Sequence, residues 1–306
     1  MNSKTLIVIT GPTAVGKTAL CLDMARHFSI PVINADSRQI YRDLKIGTAA
    51  PTEEQLREVR HFFVGTLGLS DYYSASMYEQ QVNSLLGELF QKSRYALLSG
   101  GSMMYIDAVC NGIDDIPTVD EHTRATMKRR LAEEGLEQLC EELRRLDPEH
   151  YSLVDKKNPR RVVHALEICH MTGRTYTSFR KKERENGEQN SRRPYRIVKI
   201  GLNLEREQLY SRINRRCDLM MEQGLLQEAR QLLPYRHLNA LNTVGYKEMF
   251  AHIDGTWTLD EAVERMKGNT HRYARKQLTW FKRDSAMKWF EPNATNDIIN
   301  YIEAQQ

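Results

Sequence analysis

Residues 5–22 read Thr5-Leu6-Ile7-Val8-Ile9-Thr10-Gly11-Pro12-Thr13-Ala14-Val15-Gly16-Lys17-Thr18-Ala19-Leu20-Cys21-Leu22: an apolar run, a loop bounded by glycines, then the start of an apolar helix. That order predicts strand, phosphate loop, helix. The spacing G-x-x-x-x-G-K-T matters because glycine lets the backbone curl until successive N–H groups face one anion, with the positive end of the following helix behind them. Gly11, Pro12, Thr13, Ala14, Val15 and Gly16 are therefore the expected cradle of a phosphate or diphosphate. Lys17 reaches the terminal phosphate as a point charge, and the Thr18 hydroxyl is the expected ligand of a magnesium ion (Mg2+) bridging phosphate oxygens. An ordinary tight turn is the plainer alternative. The strand and helix standing in the right order on either side favour the anion site.

The chain around this stretch has 306 residues, enough to bury a sizeable core in about two domains. No apolar run approaches the ~20 residues that span a bilayer, and the opening apolar run is too short for a signal peptide. A cytosolic protein with no membrane attachment is expected. Cys21, Cys110, Cys140, Cys169 and Cys217 form no C-x-x-C pair and sit beside no His cluster at zinc spacing, so each reads as a small buried side chain. The net charge of +4 is modest, but Lys and Arg crowd into 156–184, 192–216 and 265–288. Uneven basic charge of that kind points to a polyanionic partner.

Past the first helix, Pro31-Val32-Ile33-Asn34-Ala35 predicts a second strand that ends on Asp36-Ser37-Arg38-Gln39-Ile40-Tyr41. Ligands of open parallel sheets bind at the carboxyl ends of strands, so Asp36 is placed to take a proton or to hold magnesium through water. Its plainer reading is a cap for the next turn. A short strand at 61–64 and a helix at 75–92 precede the buried strand Tyr95-Ala96-Leu97-Leu98, which ends in Ser99-Gly100-Gly101-Ser102. A nucleotide hydrolase usually carries a magnesium-holding acid at such a strand end. Here the residues suit close backbone approach to a ligand instead.

From 114 to 193 the pattern turns helical, with candidates at 123–134, 136–146 and 160–172, followed by a polar run at 180–193 that reads as a mobile loop or solvated helix end. A strand at 195–202 then resumes the sheet, and helices at 206–223, 225–233 and 259–282 follow. The first of these places Ile213, Cys217 and Met220 on one face, a core stripe. The last interleaves basic and aromatic residues, as nucleic-acid surfaces do and as a basic core helix also would. The expected fold is therefore α/β: a P-loop NTPase-like parallel sheet flanked by helices with an inserted all-helical domain, divided as 1–113, 114–193 and 194–306.

The chain resembles the tRNA dimethylallyltransferase (isopentenyl-tRNA transferase) family along nearly its whole length. The resemblance rests on Gly11-Pro12-Thr13-Ala14-x-Gly16-Lys17-Thr18, Asp36-Ser37-Arg38-Gln39-Ile40-Tyr41, Ile46-Gly47-Thr48-Ala49, Gly100-Gly101, Arg161-Val162 with Ala165-Leu166-Glu167, Val244-Gly245-Tyr246-Lys247-Glu248 and Gln277-x-Thr279-Trp280. It implies transfer of the dimethylallyl group from dimethylallyl diphosphate to N6 of the adenosine 3′ to a tRNA anticodon. It implies that the loop holds the prenyl diphosphate, that Asp36 is the general base, that Arg216 helps the diphosphate leave, and that the helical insertion embraces the anticodon stem-loop. It places RNA contacts at Asp36, Ser37, Arg38, Gln39, Ser102, Arg124, Arg160, Arg161, Val162, Val163 and His164. Further RNA contacts are implied at Gly245, Tyr246, Lys247, Arg275, Lys276, Gln277, Thr279, Trp280 and Lys282. A monomer is expected. The chain departs from the family pattern at Ala50, usually Lys; at Ser102, usually Thr, which keeps the hydroxyl; at Arg160, usually Gln; and at His164, usually Arg. A neutral imidazole offers one donor where guanidinium offers five.

The implied chemistry is coherent with these residues. An adenine amino group is a poor nucleophile, so a carboxylate that removes its proton is worth about 10² to 10⁴ in rate. Lys17, Arg216, the loop amides and magnesium on Thr18 stabilise the departing diphosphate. Three other readings share the loop: an adenylate isopentenyltransferase on a free nucleotide, a P-loop nucleoside kinase, and a non-catalytic RNA-binding module. The long helical insertion and basic final third argue against the first, the Ser99–Ser102 turn and lack of an adenine-lid motif against the second, and Asp36 with Arg216 against the third.

Overall fold

The computed structural model describes residues 4–114, 116–180 and 193–305. In chain order it contains β1 (Thr5–Thr10), α1 (Lys17–Phe28), β2 (Val32–Asn34), α2 (Glu53–Glu58), β3 (His61–Phe62), α3 (Ala75–Lys92), β4 (Tyr95–Gly100) and α4 (Met103–Asn111). Next come α5 (Glu121–Leu146), α6 (Pro148–Leu153) and α7 (Pro159–Thr172). The chain ends with β5 (Arg196–Leu202), α8 (Arg206–Glu222), α9 (Leu225–Leu232), α10 (Tyr246–Ile253), α11 (Leu259–Phe281), β6 (Lys288–Phe290) and α12 (Thr295–Ala304).

The six strands form one parallel sheet in the order β3-β2-β4-β1-β5-β6. β1 is buried along its whole length, and β4 along all but its first residue. Strands covered by helices on both faces have no wet side, which is why their sequences are continuous apolar runs rather than alternations. Two buried clusters cover the two faces, one containing Ile7, Ile9, Leu97 and Ile200, the other Leu6, Val8, Leu98 and Ile33. Alternate residues of one strand point to opposite faces, so each cluster takes every second residue.

The chain leaves β1 for β2 on one side, passing the place later filled by β4, and reaches β5 on the other. β1 is therefore the point where strand order reverses, and a crevice opens at its carboxyl end. The loop 11–16 lies in that crevice.

The chain divides into two compact units, Met1–Asn111 with Arg192–Gln306, and Gly112–Ser191. The first holds the sheet. The second is helical, with a core of its own in Met127, Leu139, Leu143, Val162, Ala165 and Leu166. The expected helices at 123–134 and 136–146 are both present as the two halves of α5, which is broken between them at Gly135, where the backbone is non-helical (φ 83°, ψ 168°). Buried Asp147 caps α6 through His150 N at 3.0 Å and holds Thr177 N and Oγ1, both at 2.7 Å. Of the polar run expected to be mobile, 181–192 lies outside the described residues. Among the described residues no helix is long and apolar enough to cross a membrane, and all five cysteines are free and buried.

Candidate functional site

The phosphate loop is a run of left-handed conformations: Gly11 at φ 151°, Ala14 at φ 63° and Gly16 at φ 112°. Such alternation turns consecutive N–H groups to one side, making an anion-binding concavity. Ala14 adopts its conformation despite a Cβ, a strain of order 1–3 kcal/mol that functional loops hold when their surroundings dictate it. Gly16 is the N-cap of α1 and supplies no side-chain acceptor, so the first-turn amides are left for an anion.

The loop is held from two sides. Gln277 on α11, fully buried, accepts from Thr13 N at 2.9 Å and donates to Gly101 O at 2.9 Å, tying the phosphate loop to the turn after β4. A Cβ at 101 would meet Gln277 Nε2 at 2.5 Å, so a larger residue there would push that amide out of its bridge. On the other side α8 presents two arginines one turn apart. Arg212 Nη1 donates to Val15 O at 3.2 Å, and Arg216 donates to Thr13 Oγ1 at 3.1 Å and Thr48 O at 3.4 Å.

Lys17 donates from Nζ to Gly11 O at 2.9 Å and Pro12 O at 2.8 Å. Burial, with the Arg216 charge adding to it, brings its pKa down to about 8, against an opposing pull from Asp36. Burial also lowers the Arg216 pKa, again opposed by Asp36.

Asp36 follows β2. Its Oδ1 accepts from Arg38 N at 2.8 Å and Gln39 N at 3.3 Å, so the capping role read as the plainer alternative is present, and it occupies one carboxylate oxygen. Ser102 Oγ accepts from Ser37 N at 2.7 Å and donates to Ser37 Oγ at 3.1 Å, clamping the ends of β2 and β4 together. Gln39 donates to Thr48 O and Ala49 O, each at 3.0 Å, and Arg38 Nη1 donates to Asn239 O at 2.7 Å.

These groups line two adjoining cavities of the sheet unit. The first, about 220 Å³, is walled by Thr13, Lys17, Thr18, Asp36, Gln39, Gly101, Arg216 and Gln277. The second, about 580 Å³, shares Thr13, Asp36, Arg216 and Tyr273 with it. It has an apolar side of Ile213, Cys217, Met220, Val244 and Met266 and a basic side that includes Arg38, Lys247, Arg272 and Lys276.

The other expected residues are distributed as follows. Gly245 and Tyr246 open α10 and are buried, with Lys247 exposed. On α11, Arg275, Lys276, Thr279 and Lys282 are exposed or at its end, and Trp280 is half-buried under the Arg283 guanidinium. Arg124 on α5 and Arg160, Arg161, Val162, Val163 and His164 on α7 belong to the helical unit. There Arg124, Arg160 and Arg161 are exposed, Val163 is half-buried, and His164 Nδ1 lies 3.2 Å from Glu167 Oε2. Val162, Tyr246 and Gln277 are at most 1% exposed, so their side chains support a surface from behind rather than form it. Local pattern does not single out Tyr273, which lines both cavities and whose hydroxyl pKa is pushed up by burial, or Thr48, whose carbonyl is met by the distant Arg216, or Glu228, whose backbone partners are remote in sequence. Interleaved basic and aromatic residues on α11 were the one signal that included Tyr273.

The description "IPP transferase" belongs to the family model that matches residues 39–284. A tRNA dimethylallyltransferase 1 of Phocaeicola vulgatus is 60% identical over 300 residues, covering 98% of each chain. Another, of Bacteroides thetaiotaomicron, is 58% identical and covers 98% of this chain and 96% of its own. The crystal structure of a tRNA isopentenylpyrophosphate transferase of Bacillus halodurans has a TM-score of 0.71 at 34% identity, covering 99% of this chain and 96% of that one. With its phosphate loop, its interrupted parallel sheet and these relatives, the chain belongs to the IPP transferase family, among the tRNA dimethylallyltransferases.

Proposed function

We propose that the chain transfers the dimethylallyl group of dimethylallyl diphosphate to N6 of the adenosine 3′-adjacent to the anticodon of tRNA, giving N6-isopentenyladenosine. The observation that carries this reading is the shared wall of the two cavities. Lys17, Thr18 and Arg216 stand where a diphosphate would lie, an apolar side adjoins them, and Asp36 borders both spaces. A kinase would need no such apolar side next to its phosphate loop.

In this reading N6 attacks C1 of the prenyl group, the C1–O bond breaks, and the diphosphate departs with the bonding pair. Asp36 takes the N6 proton, using the carboxylate oxygen that the Arg38 and Gln39 amides leave free. Lys17, Arg216 and the loop amides bind the donor and neutralise the charge that grows on the leaving oxygens. Thr13, bonded to both Gln277 and Arg216, keeps loop and guanidinium in register.

Magnesium fits the residues as an ion carried mainly by the donor. Thr18 supplies a hydroxyl in the first cavity and Asp36 a carboxylate, both hard oxygen donors. Among the described residues no group of three or more His, Cys, Asp or Glu could cage a metal. When bound, the ion would add Lewis-acid stabilisation of the leaving diphosphate.

The tRNA is proposed to be gripped by the exposed cations of α11 and by Arg124, Arg160 and Arg161 of the helical unit. A tRNA acceptor supports a cytoplasmic site of action, and the reading needs no second copy of the chain. Incubation with labelled dimethylallyl diphosphate, magnesium and either tRNA or AMP tests the proposal. Label is expected in tRNA alone; label in AMP would assign the chain to free-nucleotide chemistry instead.

A further inference from the structure

Glu228, on α9, belongs to none of the groups assigned above to donor or RNA, yet its carboxylate is met by four donors from two distant segments. Oε2 accepts from Lys45 N at 3.2 Å and Ile46 N at 2.9 Å. Oε1 accepts from Gly47 N at 2.9 Å and from the Tyr246 hydroxyl at 2.6 Å. Three consecutive backbone amides converging on one anion make a nest. Above it the chain winds into a turn: Ala49 N donates to Ile46 O at 2.9 Å, Ala50 N to Lys45 O at 3.0 Å, and Thr48 Oγ1 to Leu44 O at 2.6 Å. Glu228 thus caps that turn from another element. Gly47 closes the fit, since a Cβ there would come within 2.6 Å of Tyr246 Cζ.

The far end of the turn reaches the reacting groups. Thr48 O accepts from both Arg216 Nη2 and Gln39 Nε2, and Gln39 N donates to Asp36 Oδ1. A continuous path runs from the Glu228 carboxylate by hydrogen bonds to the 45–47 amides, along the backbone to the Thr48 carbonyl, and by hydrogen bonds again to Arg216 and the neighbour of Asp36.

We propose that Glu228 is a positioning residue of the transfer reaction, fixing the 45–48 turn so that the Thr48 carbonyl holds Arg216 in place, without touching substrate itself. This rests on the reading that Arg216 serves the leaving diphosphate. Glutamine at 228 keeps the shape but has one acceptor oxygen, so its NH2 group must confront an amide N–H and leave one end of the nest unpaired. A carboxylate that only stabilises the fold would lower the melting temperature and slow turnover by the same factor whatever residue stood at 216. A carboxylate that works through Arg216 has nothing left to position once that guanidinium is gone.

The test is a double-mutant cycle on the full chain with labelled dimethylallyl diphosphate and tRNA, reading single-turnover rate, tRNA affinity and melting temperature for Glu228→Gln, Arg216→Gln and the pair. Glu228→Gln is expected to slow transfer about tenfold or more with tRNA affinity kept within about threefold, and to cost under about twofold further in the Arg216→Gln background. A Glu228→Gln rate equal to wild type, or a loss repeated in full in the Arg216→Gln background, overturns the proposal. A wild-type rate for Arg216→Gln alone instead overturns the assignment of Arg216, and this inference with it. Should Glu228→Gln fail to fold, Tyr246→Phe removes only one of the four donors, and the same non-additivity with Arg216→Gln is expected at about two- to threefold.

Discussion

Lys17 shows how one side chain's environment becomes a pH dependence. Desolvation, with Arg216 beside it, leaves the ammonium half-protonated at about pH 8, while an unfolded lysine holds its proton to about 10.5. Between those values the unfolded chain carries the extra proton, so this group makes the fold more stable as pH rises through the window. Capture of an anionic donor runs the other way, because it needs the ammonium. The rate constant for productive binding of dimethylallyl diphosphate, kcat/KM, is therefore expected to fall as pH rises above about 8, towards tenfold per unit, and the fall should be absent in Lys17→Arg. A pH profile of both proteins checks this; a fall that persists in Lys17→Arg assigns the titration to another group. Lys17 and Thr18 are legible in sequence because their spacing from Gly11 is itself the mechanism, and Asp36 because it ends an apolar strand. Glu228 is not, since its three backbone partners lie 181–183 residues away and nothing near it announces them.

Among elements, the central strands and long helices are legible because burial on both faces or on one stripe leaves a period in the residue order. β6 and α12 leave little. β6 has three residues, Lys288, Trp289 and Phe290, and its place beside β5 depends on a pairing that no local pattern encodes. No helix is expected at α4, directly after the Ser99–Ser102 turn, although Tyr105, Ile106 and Val109 form a buried face. α11 reads equally as a nucleic-acid surface or as a basic core helix, and its inward side places Gln277 between the phosphate loop and the turn after β4. Gln277→Ala leaves Thr13 N and Gly101 O without that bridge, each a desolvated group worth about 1–3 kcal/mol. KM for dimethylallyl diphosphate is expected to rise about tenfold or more while tRNA affinity, read by filter binding, changes little. A larger effect on tRNA than on the donor would make Gln277 an RNA residue instead.

For the whole molecule, a net charge of only +4 conceals local concentrations of exposed Arg and Lys, on α11 in the sheet unit and on α5 and α7 in the helical unit. If four or more of these cations meet phosphates, log affinity for tRNA should fall against log salt with a slope of about −3 or steeper, while donor binding depends on salt far less. A flat response in a titration from low to moderate salt would point to a small acceptor. The division of labour proposed here, with chemistry in the crevice beside β1 and grip on the cations, rests in the sequence on the phosphate loop and the charge runs. The apolar wall of Ile213, Cys217 and Met220 looked like core alone, because a buried stripe and a ligand-facing stripe have the same period. The most direct test of the central claim is single-turnover transfer by Asp36→Asn at saturating labelled dimethylallyl diphosphate and anticodon stem-loop, with stem-loop affinity measured on the same sample. A rate reduced at least about 10²-fold with affinity held within a few fold is the result expected of a lost base on an intact grip. Transfer at close to the wild-type rate would contradict it.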